Sequence, residues 1–227
     1  MAKWTIKQIA NTCDYAIDSA TLTKSEISSI CKDAAHYGAK AICVNSGWVK
    51  FTAEQLQDSD VLTSSYIGFP LGSTISQIKV EEAKQAIQDG AQELDMVIAI
   101  GRLKERDYGY VENELRAMRD AVSVPIKAII ESVYLDDDDK IKICELIKKI
   151  GIDYISTSTG YASGGATISD VSLIRQCLGR DMGVKATGYI STLDDLTTML
   201  EAGADRIGTS AFYKIMHEAE LAKFPFE

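Results

Sequence analysis

The sequence predicts an α/β fold, a (β/α)8 TIM barrel, with a doubly wound sheet as the lesser alternative. Short apolar or β-branched runs alternate with amphipathic stretches along the whole chain. The 227 residues suit one such barrel. No linker, low-complexity tract or composition break divides them, so residues 1–227 are read as a single TIM-barrel domain.

The strands are expected at Thr12–Ala16, Ala39–Asn45, Val61–Ile67, Ala91–Ile98, Val124–Ser132, Ile155–Thr159, Gly183–Gly188 and Arg206–Ser210. Between them, Lys24–Tyr37 sets Ile27, Ile30, Cys31 and Ala34 at helical spacing and stops at Gly38. Further helices are expected over Ile75–Gln88, about Asp107–Ala121, Ser169–Leu178, Leu193–Ala202 and Phe212–Lys223. The helix after the fifth strand is the most clearly marked. Asp136–Asp139 place acids at its positive end, and Lys148 and Lys149 stand at its negative end before Gly151. The run DDDDK is therefore read as a charged helix start, not a cleavage tag.

Composition narrows the function. Hydrophobic residues make up 46% of the chain, enough for a sizeable core. The apolar runs are strand-sized, far below the roughly 20 residues of a membrane helix, and Met1–Lys7 lacks the apolar block of a signal peptide. No membrane partner and a cytoplasmic location are expected. The net charge of −9 argues against nucleic acid as a partner. The five cysteines form no CxxC pair and only two histidines occur, so buried free thiols and no metal are expected.

In this architecture function sits at the C-terminal ends of the strands. Those ends carry Asp14, Asn45, Gly68, Asp95, Glu131, Ser156 with Ser158, Lys185, and Gly208-Thr209-Ser210. Asp95, Lys127 and Lys185 are charged residues inside apolar strands, which is costly unless they are paired or used in chemistry. They read either as an ion-pair network between neighbouring strands or as catalytic groups. Gly188-Tyr189-Ile190-Ser191 and Gly208-Thr209-Ser210 follow the seventh and eighth strands, where such barrels cradle phosphate with backbone N–H groups and a helix N-terminus. A phosphorylated ligand is expected there.

The motifs CVN (Cys43–Asn45), GFPLG (Gly68–Gly72), ELDMVI (Glu93–Ile98), KAIIES (Lys127–Ser132), TSTGY with GGAT (Thr157–Thr167), VKATG (Val184–Gly188) and AGADRIGTS (Ala202–Ser210) run in one order along the chain. Together they resemble the deoxyribose-phosphate aldolase family. The resemblance implies a TIM barrel and a retro-aldol lyase acting on a small phosphorylated sugar or aldehyde. It further implies a lysine Schiff base, no cofactor or metal, and a homodimer as the expected assembly. By motif, Asp95 matches the family's proton-transfer acid, Lys185 its second active-site lysine, and Gly208-Thr209-Ser210 part of its phosphate site. Asp14, Cys43, Thr157, Ser158, Gly188 and Tyr189 fall on the surrounding pocket.

The chain also departs from that pattern. Where the resemblance places the imine-forming lysine, directly before TSTG, this chain has Ser156. The first strand reads Asp14-Tyr15-Ala16, Ala99 follows DMVI, and Tyr189-Ile190-Ser191 replaces the expected glycine and arginine. Several changes around one cavity read as a paralogue with a rebuilt pocket. A serine cannot form an imine, which leaves Lys185 and Asp95, beside Ser156, as catalytic candidates. Three outcomes follow from the sequence: an aldolase with Lys185 as a relocated imine lysine, an imine-independent isomerase, dehydratase or acid–base lyase, or a non-catalytic phosphosugar-binding protein.

Overall fold

The computed structural model describes residues 4–227, so Met1, Ala2 and Lys3 of the N-terminal stretch lie outside the described residues. Eight parallel strands close into a barrel in sequence order: β1 Cys13–Ile17, β2 Ala41–Val44, β3 Leu62–Ile67, β4 Glu93–Val97, β5 Ile126–Ile129, β6 Tyr154–Ser156, β7 Gly183–Thr187 and β8 Arg206–Thr209. The helices are α1 Ile6–Ala10, α2 Lys24–Tyr37, α3 Val49–Leu56, α4 Ser76–Gln88, α5 Ile100–Lys104, α6 Tyr108–Ala121, α7 Asp137–Ile150, α8 Ile168–Leu178, α9 Leu193–Ala202 and α10 Phe212–Leu221. The barrel that the alternating pattern predicts is the one observed.

Local chemistry sets the helix ends. Asp136 caps α7, accepting from the backbone N–H of Asp139 at 2.8 Å. Its far end stops at Gly151 with φ 82°, a left-handed turn that glycine takes without a Cβ penalty. Thr23 and Glu26 close a capping box at the start of α2. The acid run at Asp136–Asp139 is thus a helix start, as its position predicts.

Three short helices, α1, α3 and α5, escape the sequence reading. In α3 only Val49, Thr52 and Leu56 are buried, too few contacts to print a clear stripe on so short a segment. The sixth strand is shorter than expected, its regular pairing ending at Ser156. Thr157 still donates its N–H to Lys185 O at 3.0 Å and accepts from Ser132 N at 2.8 Å, and its side chain adds further bonds. Thr157 Oγ1 donates to Thr187 O and accepts from Thr187 N, both at 3.0 Å.

Apolar residues fill the annulus between strands and helices, Ile27, Ile42, Leu94, Leu115, Ile147 and Phe212 among them. A smaller group, Cys43, Tyr66, Val97 and Ile129, faces inward near the C-terminal mouth. One buried charge pair ties two mouth loops together. Lys79 of α4 is fully buried, and its ammonium donates to Gly72 O (2.7 Å), Val97 O (2.8 Å) and Glu114 Oε1 (2.8 Å). Glu114 of α6 accepts in turn from Ala99 N at 2.8 Å.

Removing one partner of this pair strands the other charge in the core. Lys79→Met is expected to lower unfolding free energy in urea by about 3–5 kcal/mol. Adding Glu114→Leu should recover part of that loss, whereas a double variant less stable than Lys79→Met would contradict the account.

Candidate active site

Inside the barrel, beneath its mouth, the strands bring together three acids and three cations: Asp14, Glu93 and Asp95 with Lys127, Lys185 and Arg206. All are nearly or completely buried. Lys185 Nζ lies 2.5 Å from Asp95 Oδ2 and 2.7 Å from Asp14 Oδ2. Lys127 Nζ lies 2.7 Å from Glu93 Oε2, 2.8 Å from Asp95 Oδ1 and 3.5 Å from Asp14 Oδ2. Arg206 forks onto Glu93, with Nη1 to Oε1 at 3.2 Å and Nη2 to Oε2 at 3.0 Å, and also holds Asp14 through Nε at 2.9 Å. Ser64 donates to Asp95 Oδ1 at 2.8 Å.

This pairing sets the protonation states. Burial alone would push the Asp14 carboxyl up, but Lys127, Lys185 and Arg206 outweigh it and hold Asp14 well below the usual carboxylate range. Asp95 is lowered in the same way, with burial opposed by Lys127 and Lys185. Burial disfavours a charged Lys185, but Asp14 and Asp95 reverse this and raise it above the ordinary lysine value. Lys185 is therefore an ammonium at neutral pH. The two readings open for Asp95, Lys127 and Lys185 meet in one object, a network that also presents Lys185 and Asp95 as a close pair.

Ser156 is fully buried, and its Cα pairs in register with that of Lys185 on the neighbouring strand. The lysine amine does not turn toward it. It crosses the barrel to the acids of β1 and β4, and Ser156 Oγ rests 3.3 Å from Thr187 Oγ1. The space beside Ser156 is thus taken by the Thr187 hydroxyl and not by the Lys185 amine, whose two carboxylates outbid a single serine for it.

Above this floor lies a cavity of about 340 Å³ at the mouth, walled by Gly160, Tyr161, Gly188–Ser191 and Gly208–Ser210 with Asp18 and Thr159. The segments after β7 and β8 therefore meet, as the sequence predicts. Gly208 joins floor and cavity, since a Cβ there would sit 2.5 Å from Thr187 Oγ1 and 2.9 Å from Lys185 Cε. Only glycine leaves that joint open. Tyr161 forms part of the roof, edge-on to Phe69 at 5.5 Å, and Phe69 stacks on Tyr66 at 4.0 Å.

Not every expected pocket residue lines this cavity. Asp14 belongs to the buried network and is spent on Lys185 and Arg206, so it holds the floor without facing the cavity. Cys43 packs in the inward apolar group, and burial pushes its thiol up, which makes it a wall and not a nucleophile. Thr157 braces β7 through Thr187. Ser158 Oγ is buried with no hydrogen-bond partner in the chain. Thr209 Oγ1 donates to Ile190 O at 2.7 Å, Tyr189 Oη donates to Ala162 O at 3.0 Å, and Ser210 stands at the exposed rim.

Two further residues shape the site: Asp18, which no motif singles out, and Glu131, named among the strand ends but without a role. Asp18 lies one position past β1, and its carboxyl is raised by burial. Its place after a strand end is the available signal. Glu131, at φ 50°, accepts from Thr159 N at 3.2 Å and fixes the turn that carries Tyr161. Nothing in its motif marks it as a brace.

The depressed carboxylates link stability to pH. Their contribution is complete above the unfolded value of about 4 and declines as pH falls below it, by about 1.4 kcal/mol per pH unit for each group. Urea midpoints between pH 7 and 3 should show this decline, and Asp95→Asn should have a lower plateau and a shallower fall. An equally steep fall in Asp95→Asn would rule out Asp95 as a contributor.

Comparison with known proteins agrees with this geometry. The DeoC/LacD family aldolase pattern matches residues 9–219. The chain is 44% identical over 218 residues to the deoxyribose-phosphate aldolase of Aciduliprofundum boonei, covering 95% of this chain and 98% of that one. It is 47% identical over 212 residues to deoxyribose-phosphate aldolase 1 of Bacillus licheniformis, covering 92% and 95%. Among solved structures, the aldolase QR15 superposes with a TM-score of 0.89 at 36% identity, over 94% of this chain and 98% of that one. The tetrameric deoxyribose phosphate aldolase of Aeropyrum pernix superposes with a TM-score of 0.87 at 26% identity, over 95% and 92%. This chain belongs to the DeoC/LacD family of aldolases.

Proposed function

We propose that the protein is an aldolase-type lyase that cleaves or forms a carbon–carbon bond in a small sugar or hydroxyaldehyde, with Lys185 meeting the carbonyl oxygen and Asp95 handling the proton. The observation that carries this reading is the Lys185–Asp95 contact of 2.5 Å beneath a mouth cavity large enough for such a ligand. The family relationship supplies the reaction class.

A second reading concerns how the electron pair is held, and one observation favours it. Two carboxylates keep Lys185 charged, which suits an ammonium that stabilises an enolate oxygen better than an amine that attacks a carbonyl. In the retro-aldol direction, a carboxylate takes the proton of the β-hydroxyl and that carbon becomes the product carbonyl. The C–C bond breaks, and its electron pair passes to the enolate beside Lys185. A proton returns to the enolate carbon. Ser156, set where the resemblance places an imine-forming lysine, adds no fourth cation to the three already buried there.

Treating the enzyme with borohydride in the presence of substrate, and removing the reagent before assay, decides between this enolate route and an imine on Lys185. The enolate reading expects undiminished activity and no mass adduct, with kcat/KM falling at least 10³-fold in Lys185→Met and about 10²–10⁴-fold in Asp95→Asn. A reduced adduct on Lys185 would replace it with the imine route. No aldol cleavage or synthesis with any small hydroxyaldehyde would sink the lyase assignment itself.

A further inference from the structure

Sequence position suggests that the cavity after β7 and β8 holds a phosphate, but the groups that line it point elsewhere. Among the described residues, no lysine or arginine stands in its walls. The charged side chain there is the carboxylate of Asp18. Lys214 approaches only from outside, where its ammonium donates to Ser191 O at 3.0 Å and faces Glu218 at 3.6 Å.

The backbone donors that an anion would use are partly spoken for. At the start of α9, the N–H groups of Ser191 and Thr192 both donate to Asp195 Oδ2 at 3.0 Å, so an internal carboxylate fills that position. Beside α10, Ala211 N donates to Thr209 Oγ1 at 2.9 Å. The partial charge at the α10 N-terminus, about +0.5, does not offset the full negative charge of Asp18. A phosphate dianion entering here would meet a carboxylate with no side-chain cation to balance either.

We infer that the cavity selects a neutral, hydroxyl-bearing tail, that of an unphosphorylated sugar or hydroxyaldehyde, and that Asp18 is the residue that turns phosphate esters away. Asp18 accepts hydrogen bonds from tail hydroxyls, and the hydroxyls of Ser191 and Ser210 complete a polar lining without a cation. The inference rests on the aldolase-type reading for the identity of the ligand and departs from a phosphorylated substrate. It assigns specificity to a strand end that the family motifs do not include.

Calorimetric titration with 2-deoxyribose, 2-deoxyribose 5-phosphate and inorganic phosphate tests it without any turnover. The neutral sugar should bind at least tenfold more tightly than its phosphate, and inorganic phosphate should not compete with it. Asp18→Asn and, independently, Ser210→Lys at the exposed rim should each narrow that ratio by at least threefold. Tighter binding of the phosphate ester, an unchanged ratio in both variants, or no binding of either sugar would overturn the inference. A preserved preference without aldol turnover would instead defeat the lyase reading and leave the tail assignment standing.

Discussion

Three carboxylates and three cations share the dry interior of this barrel, and the position of every chemically useful group follows from their pairing. Taking six charges out of water is tolerable only because each has a partner at close range and the cluster is neutral as a whole. The strands cannot slide past one another without breaking that match. Arg206 on β8 reaches Glu93 on β4, and Lys185 on β7 reaches Asp95 on the same strand, so contacts cross the barrel as well as follow its wall. The result is a rigid floor with Lys185 uppermost in its chemical consequence.

Neutrality of the cluster explains what a small residue at position 156 does. A lysine there would bring a fourth cation to the edge of a balanced set and weaken the hold on the Lys185 proton. Serine adds no charge, its hydroxyl settles against Thr187, and Lys185 remains bound to two acids. The identity of one buried side chain thus bears on the protonation of its neighbour across a strand boundary. An aldol reaction needs somewhere to put an electron pair, and an ammonium fixed by two carboxylates can receive it as an oxyanion partner without ever becoming a nucleophile.

Much of this arrangement is legible in the amino-acid sequence. Short apolar and β-branched runs, period-3.6 patterning, the cap at Asp136 and the stop at Gly151 determine the elements, and their alternation determines the barrel. Lys127 and Lys185 stand out because a charge within an apolar strand needs a reason. Two other members of the cluster are harder to read, since Glu93 and Arg206 lie at strand starts where charge is unremarkable, and the contact between them spans 113 residues of sequence. Asp18 escapes for a related reason, and Glu131 is legible as a strand-end acid but not as a brace. A loop acid looks solvated until the folded chain shows what surrounds it, and Glu131 acts through a turn 28 residues away.

The division between floor and cavity gives the site its logic. The floor is charged, dry and saturated with contacts, so it holds its geometry and its protonation state. The cavity above is polar and holds a single carboxylate, so it discriminates by charge without disturbing the floor. Gly208 is common to both, with one face on the cavity and the other against the Lys185 stem. A ligand anchored by its tail therefore reaches Lys185 past a residue with no side chain. Any substituent at 208 would part the two halves, separating the cavity from the Lys185 stem. Selectivity is free to change by substitutions around the rim while the buried charges stay fixed. The changes at Tyr189-Ile190-Ser191 lie on the side of that boundary where a new substrate costs the barrel little.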